Sequence, residues 1–172
     1  DREVRRFRTL HEADIIHRAK EAGVPTPLIY QVDVDRASIV MEYVEGEKVR
    51  DIVNALGDDE NRELFRIIGF EAGRLHGAGL IHGDLTTSNM IRVADRVVFI
   101  DFGLGEISRE TEKRGVDVNL MRRMLASTHF TRQVMLFDAF KDGYREAMGP
   151  EADEVLVRVD EIARRGRYIE KE

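Results

Sequence analysis

The stretch IHGDLTTSNMIRVADRVVFIDFGLG, residues 81–105, constrains this chain more than any other. It holds two short apolar runs, NMIRV and RVVFI, parted by Ala94 and Asp95. Their β-branched content predicts two strands of a short hairpin. Such a hairpin would present Asp84 and Asn89 at one end and Asp101 at the end of the returning strand. A carboxylate can accept a proton or orient a nucleophile. An amide oxygen and a second carboxylate can hold a hard cation such as Mg²⁺, with phosphate oxygens completing the shell. The same residue types also form ordinary turns, so this stretch alone leaves an active site and a pair of plain turns both open.

The surrounding pattern narrows the choice. Residues 2–22 read as a helix, with Val4, Phe7, Ile15, Ala19 and Ala22 on one side. Gly23 stops it, and Pro25 and Pro27 forbid its continuation. LIYQVDVD and SIVMEYV then read as a β-hairpin, and EGEKVRDIVNAL as a short helix after a turn at Gly46. Further helices are predicted over 60–79, 115–127, 131–147 and 151–165, with Pro150 in the first turn of the last. Strands and helices are segregated along the chain, which predicts an α+β fold.

At 172 residues the chain suits one domain, or one large lobe plus a remnant. A net charge of −6 argues against a bulk nucleic-acid binder, so any such contact needs a local patch. There is no cysteine, hence no disulfide and no thiolate metal site, which fits a cytoplasmic location. No apolar run reaches the roughly 18 residues of a membrane span, and no secretory signal opens the chain. Arg makes up 22 of the 27 basic residues and Asn and Gln are scarce, a balance that leans towards heat stability.

Read together, D-x-x-x-x-N, a short hairpin and D-F-G match the catalytic-loop and metal-binding elements of protein kinases. Two more stretches agree. IVMEYVEG is similar to the last strand of a kinase N-lobe running into the hinge, with Met41 as gatekeeper and the Glu42 carbonyl and Val44 amide offered to adenine. Glu12 lies at the edge of the first helix's apolar stripe, where a carboxylate wants a cationic partner.

The chain as a whole resembles the small atypical kinases of the KEOPS (EKC) complex, the family that includes the p53-related protein kinase. The matching stretches are RTLHEADII, GVPTPLIYQVD, IVMEYVEGEKVRDI, LHGAGLIHGDLTTSNMI, FIDFGLG, EKRGVDVNLMRRML and RRGR, which span residues 1 to about 167. RIO kinases are near relatives of that family. The resemblance implies a minimal protein-kinase-like fold using ATP and Mg²⁺. It divides the chain into a partial N-lobe (1–44), a hinge at 42–46 and a mostly helical C-lobe (47–172). It assigns Asp84 as the catalytic aspartate, Asn89 and Asp101 as metal ligands, and Glu12 as partner of an ATP-contacting lysine. Met41, Glu42, Val44, Ile91 and Ile100 would line the nucleotide site. Asp117 would brace the catalytic loop, and His82 would be structural rather than chemical. It further implies partnership with a tRNA threonylcarbamoyl-transferase subunit and other KEOPS subunits, in the modification of adenosine 37 of tRNA. Arg164, Arg165 and Arg167 would be candidates to touch that tRNA.

The sequence departs from the family in two places. No glycine-rich loop and no lysine precedes Glu12, so the expected N-lobe sheet is truncated and further chain upstream is expected. The basic tail is followed by YIEKE, whose two glutamates weaken it. His76 is expected to pack, and His11, His17 and His129 have no partners at metal-ligand spacing. Two features favour an ATPase over a protein kinase. Only 13 residues separate Gly103 from Asp117, too few for a peptide-docking segment, and Gly83 replaces the arginine of H-R-D. The competing readings are a stand-alone Ser/Thr or small-molecule kinase and a non-catalytic kinase-fold scaffold.

Overall fold

The computed structural model describes residues 1–169. Helix α1 (Arg2–Glu21) starts at Asp1, whose carboxylate accepts from the Glu3 amide at 3.1 Å. It stops where Gly23 turns into the left-handed region at φ +89°. Strands β1 (Ile29–Asp33) and β2 (Ser38–Met41) form an antiparallel hairpin with a bulge between Ile29 and Gln31. Then follow β3 (Glu47–Lys48), the one-turn helix α2 (Val49–Ile52) and the long helix α3 (Asp58–Gly77). Asp58, Asp59 and Glu60 face the positive end of the α3 dipole.

The central stretch is β4 (Leu80–Ile81), a 3-10 turn (Thr87–Asn89), β5 (Met90–Val93), β6 (Arg96–Phe99) and β7 (Glu106–Ile107). All pairings are antiparallel: β3-β5-β6 in one sheet and β4-β7 in another. Helices α4 (Thr111–Thr128), α5 (Gln133–Met148) and α6 (Ala152–Ile169) complete the chain.

The core is helical. Phe65, Ile68 and Leu75 of α3 meet Leu136, Phe140 and Tyr144 of α5, all fully buried. Each such side chain contributes roughly 1.5–3 kcal/mol by leaving water. Glycine lets α3 and α5 come this close: a Cβ on Gly69 would overlap the Phe140 carbonyl, and one on Gly143 the Arg66 carbonyl. The N-terminal elements are pinned to this body at three points. The Phe99 amide donates to the Pro25 carbonyl at 2.9 Å, Arg74 donates to the Gly23 carbonyl at 2.8 Å, and His11 Nε2 donates to the Gly105 carbonyl at 2.7 Å.

Several expectations are corrected. Val4 and Phe7 are exposed; α1 buries only Thr9, Ile15, Ile16 and Ala19, in the part that meets the body. The helix expected over 45–56 begins instead as β3, because Gly46 lies against the Arg92 carbonyl and the chain pairs with β5. Helix α4 starts at Thr111, four residues early, and accommodates Gly115 against Arg158 and Ile162. Pro150 sits in a 3-10 turn (Gly149–Glu151) ahead of α6 rather than in its first turn.

Candidate active site

The loop after β4 is organised by hydrogen bonds within itself. His82 Nε2 donates to the Ile100 carbonyl at 2.9 Å, which leaves Nδ1 to accept from the Asp84 amide at 3.1 Å. The ring is buried between Phe99 and Phe102, with 4.7 Å between its centroid and that of Phe102. Asn89 Nδ2 donates to the Asp84 carboxylate at 2.8 Å and to the Asp84 carbonyl at 3.0 Å. The amide nitrogen is thereby committed, and no hydrogen bond among the described residues uses Asn89 Oδ1. Across the hairpin, the Ile100 amide donates to the Asn89 carbonyl at 2.9 Å, so Asn89 and Asp101 stand on adjacent strand ends.

Asp101 has φ +58°, one of three non-glycine residues among those described in the left-handed region. Its only hydrogen bond there is a long one, 3.4 Å, from the Gly103 amide. A Cβ on Gly103 would lie 3.4 Å from Asp101 Oδ1 and 3.7 Å from Glu12 Oε2, so helix α1 brings Glu12 to face Asp101. Burial, and then the Asp101 charge, push the Glu12 carboxyl above its ordinary pKa. Two carboxylates facing each other favour a cation between or beside them. Among the described residues no three His, Cys, Asp or Glu side chains form a metal cage. One amide oxygen and one carboxylate, with further oxygens from phosphate and water, fit the habits of Mg²⁺.

Asp117, fully enclosed, grips this loop from α4. Its Oδ2 accepts from the His82 amide at 2.9 Å and from His76 Nε2 at 2.8 Å; its Oδ1 accepts from the Gly83 amide at 3.0 Å. Burial alone would raise its pKa. The His76 hydrogen bond and charge, with the His82 contributions, outweigh that and hold it below the ordinary carboxylate value. His76 is thus a polar link, not merely a packing residue, and its Nδ1 lies 2.7 Å from the Tyr144 hydroxyl. Gly83 has φ +87°, and a Cβ there would overlap the Leu104 carbonyl. An arginine at this position has no room.

The expected hinge residues Met41, Glu42 and Val44 are half-buried, as are Ile91 and Ile100. The Glu42 amide and side chain are tied to Leu28, at 2.7 and 3.1 Å. No hydrogen bond among the described residues uses the Glu42 carbonyl or the Val44 amide. Arg164, Arg165 and Arg167 lie exposed on α6. Arg165 is bound to Glu112 at 2.6 Å. Arg167 shares a cleft of about 630 Å³ with Arg122 and Arg123 of α4. Burial, and then the Arg167 and Arg123 charges, lower the Arg122 pKa. The acidic residues after Ile169 lie outside the described residues.

Residues 1–113 match the RIO domain family. The KEOPS complex subunit Bud32 of Pyrococcus abyssi is 42% identical over 172 residues, covering 99% of this chain and 78% of that one. The chain belongs to the Bud32 family of atypical, RIO-like kinases. A second family member, the probable serine/threonine-protein kinase BUD32 homolog of Archaeoglobus fulgidus, is 42% identical over 99% of this chain and 82% of its own. A probable bifunctional tRNA threonylcarbamoyladenosine biosynthesis protein from Methanothermobacter thermautotrophicus is 44% identical over 99% of this chain, which spans only 30% of that longer protein. The solved structure of WaaP in complex with acyl carrier protein superposes with a TM-score of 0.66 at 18% identity, over 90% of this chain and 74% of that one. The Bud32-family chain therefore has a kinase-like α+β fold with a reduced sheet. No described helix is long and apolar enough to cross a membrane.

Proposed function

We propose that this chain is the ATP- and Mg²⁺-dependent kinase or ATPase subunit of a KEOPS-type complex, supporting threonylcarbamoyladenosine formation at position 37 of tRNA in the cytoplasm. One observation carries the chemical part. A single self-braced loop presents Asp84 and Asn89, and its backbone is tied to the strand end that presents Asp101. The relatives' names support other KEOPS subunits and tRNA as partners, and the family resemblance adds the tRNA threonylcarbamoyl-transferase subunit among them.

Asp84, held by Asn89 and with its amide on His82, accepts a proton from the attacking hydroxyl or water. Asn89 Oδ1 and the Asp101 carboxylate would hold Mg²⁺, which would offset the negative charge on the phosphates. Glu12 faces the same space as the acidic partner of a cation. The Glu42 carbonyl and Val44 amide, both with open hydrogen-bonding capacity, take adenine between Met41, Ile91 and Ile100. This reading keeps residues 1–44 as part of an N-lobe and 47–172 as the C-lobe. Arg164 and Arg167 are the tail residues left to meet tRNA phosphate, since Arg165 is engaged by Glu112.

Two facts favour ATP hydrolysis over peptide phosphorylation. The segment between Gly103 and Asp117 is short and runs through β7 straight into α4. The absence of space at Gly83 removes the arginine that would read an activation-segment phosphate. Control by a partner protein follows. The test is Mg²⁺-dependent ATP hydrolysis with and without the transferase partner, with Asp84→Ala as control. Turnover that rises with the partner and vanishes in the variant supports the proposal. Equal background rates with partner binding intact would replace it with a scaffold.

A further inference from the structure

The link from Asp117 does not end at His76. Tyr144 is fully buried on α5, in the part of that helix that lies against Gly73 of α3. Its ring meets the His76 imidazole edge-on, with centroids 5.5 Å apart, and its hydroxyl is 2.7 Å from Nδ1. The opposite nitrogen, Nε2, faces an ionised carboxylate that can only accept, so Nε2 carries the proton. Nδ1, on the other side of the ring, is left to the Tyr144 hydroxyl, which can donate to a bare Nδ1 or accept from Nδ1–H. Burial keeps that phenol protonated. A ring without that proton would set a bare Nε2 lone pair against the Asp117 carboxylate. Arg114 fixes the backbone end of the same residue, donating to the His76 carbonyl at 2.8 Å.

We propose that Tyr144 is a positioning residue for the loop that carries Asp84. Its hydroxyl fixes the orientation of the His76 ring with Nε2–H on Asp117, and His76 holds Asp117 where it grips the His82 and Gly83 amides. The rigidity of α3 against α5 is thereby transmitted to the loop through four hydrogen bonds, all made by buried or half-buried groups. The inference deepens the kinase or ATPase reading and rests on it for its catalytic consequence, but not for its structural one.

The test is Tyr144→Phe in the whole protein, read in three ways. Nitrogen-15 shifts of the His76 ring report the hydrogen bonds at its two nitrogens. Amide hydrogen exchange reports the His82 and Gly83 N–H groups. ATP turnover is split into kcat and KM. In the variant, the Nε2 signal is expected to move as its hydrogen bond to Asp117 loosens, exchange at the two amides to rise at least about tenfold, and kcat to fall with KM unchanged. A folded variant with an unaltered Nε2 signal and unaltered exchange overturns the proposal. If Tyr144→Phe does not fold, His76→Gln and His76→Phe decide. Glutamine can still donate to Asp117 and accept from Tyr144, so protection retained in the first and lost in the second supports the proposal. Any other pattern overturns it. An absence of turnover in the wild-type protein would remove the kinase reading while leaving the ring-shift and exchange results to decide this one.

Discussion

Gly83 shows how much a single residue can decide here. Its φ of +87° and the Leu104 carbonyl beside it exclude any side chain. Gly83→Ala is expected to cost about 2 kcal/mol in urea unfolding, from backbone strain and overlap together. Glu71 is a residue of the opposite kind, one the fold tolerates at a cost. It is 8% exposed, its Oε2 has no hydrogen bond among the described residues, and the nearest cation, Arg74, is 3.6 Å away. Burial holds its pKa above the ordinary 4.5, against the lowering pull of Arg74 and Arg96. A carboxyl raised by folding stabilises only while protonated, fully below 4.5, and that contribution is lost as pH rises through the folded value. Glu71→Gln is therefore expected to raise Tm by about 3 °C at pH 7. The gain should disappear below pH 4.5, as a thermal melt series would show. Asp84, Asn89 and Asp101 were legible as residue types at a spacing. The fit of Gly83 and the hydroxyl of Tyr144 were not, because their partners come from distant parts of the chain that spacing cannot place.

At the scale of elements, the contact of α3 with α5 rests on glycines that carry no side chain between them. Gly143→Ala would drive a methyl into the Arg66 carbonyl. The expected loss is about 3 kcal/mol, measured by guanidinium unfolding, with Gly69→Ala behaving alike and the pair not additive. These two helices were legible because their apolar positions recur at helical spacing over sixteen residues or more. Strands β3, β4 and β7 were not, since two residues cannot display an alternation. Helix α1 shows a third limit. Its period correctly predicts a helix and a side, but Val4 and Phe7 stay exposed because periodicity does not say what lies opposite.

Over the whole molecule, Asp117 joins α3, α4, α5 and the loop in one buried polar network. Its pKa is held below the ordinary 3.8, so its stabilising share is present above that value and is lost as pH falls through the lower folded one. Asp117→Asn is expected to destabilise by about 3 kcal/mol at pH 7. The deficit should narrow as the pH of the unfolding series drops below 3.8. The network holds the loop in place, and the hairpin β5–β6 carries Asp101 to it. The central claim is that this arrangement binds a nucleotide through a metal held by Asp101. Titration of ATP with and without Mg²⁺ onto the wild-type protein, Asp101→Asn and Asp84→Ala tests it most directly. The wild-type protein and Asp84→Ala should bind Mg²⁺–ATP at least about tenfold more tightly than metal-free ATP, and Asp101→Asn should lose that difference. Retention of the full Mg²⁺ dependence in Asp101→Asn, or none in the wild-type protein, would contradict the account.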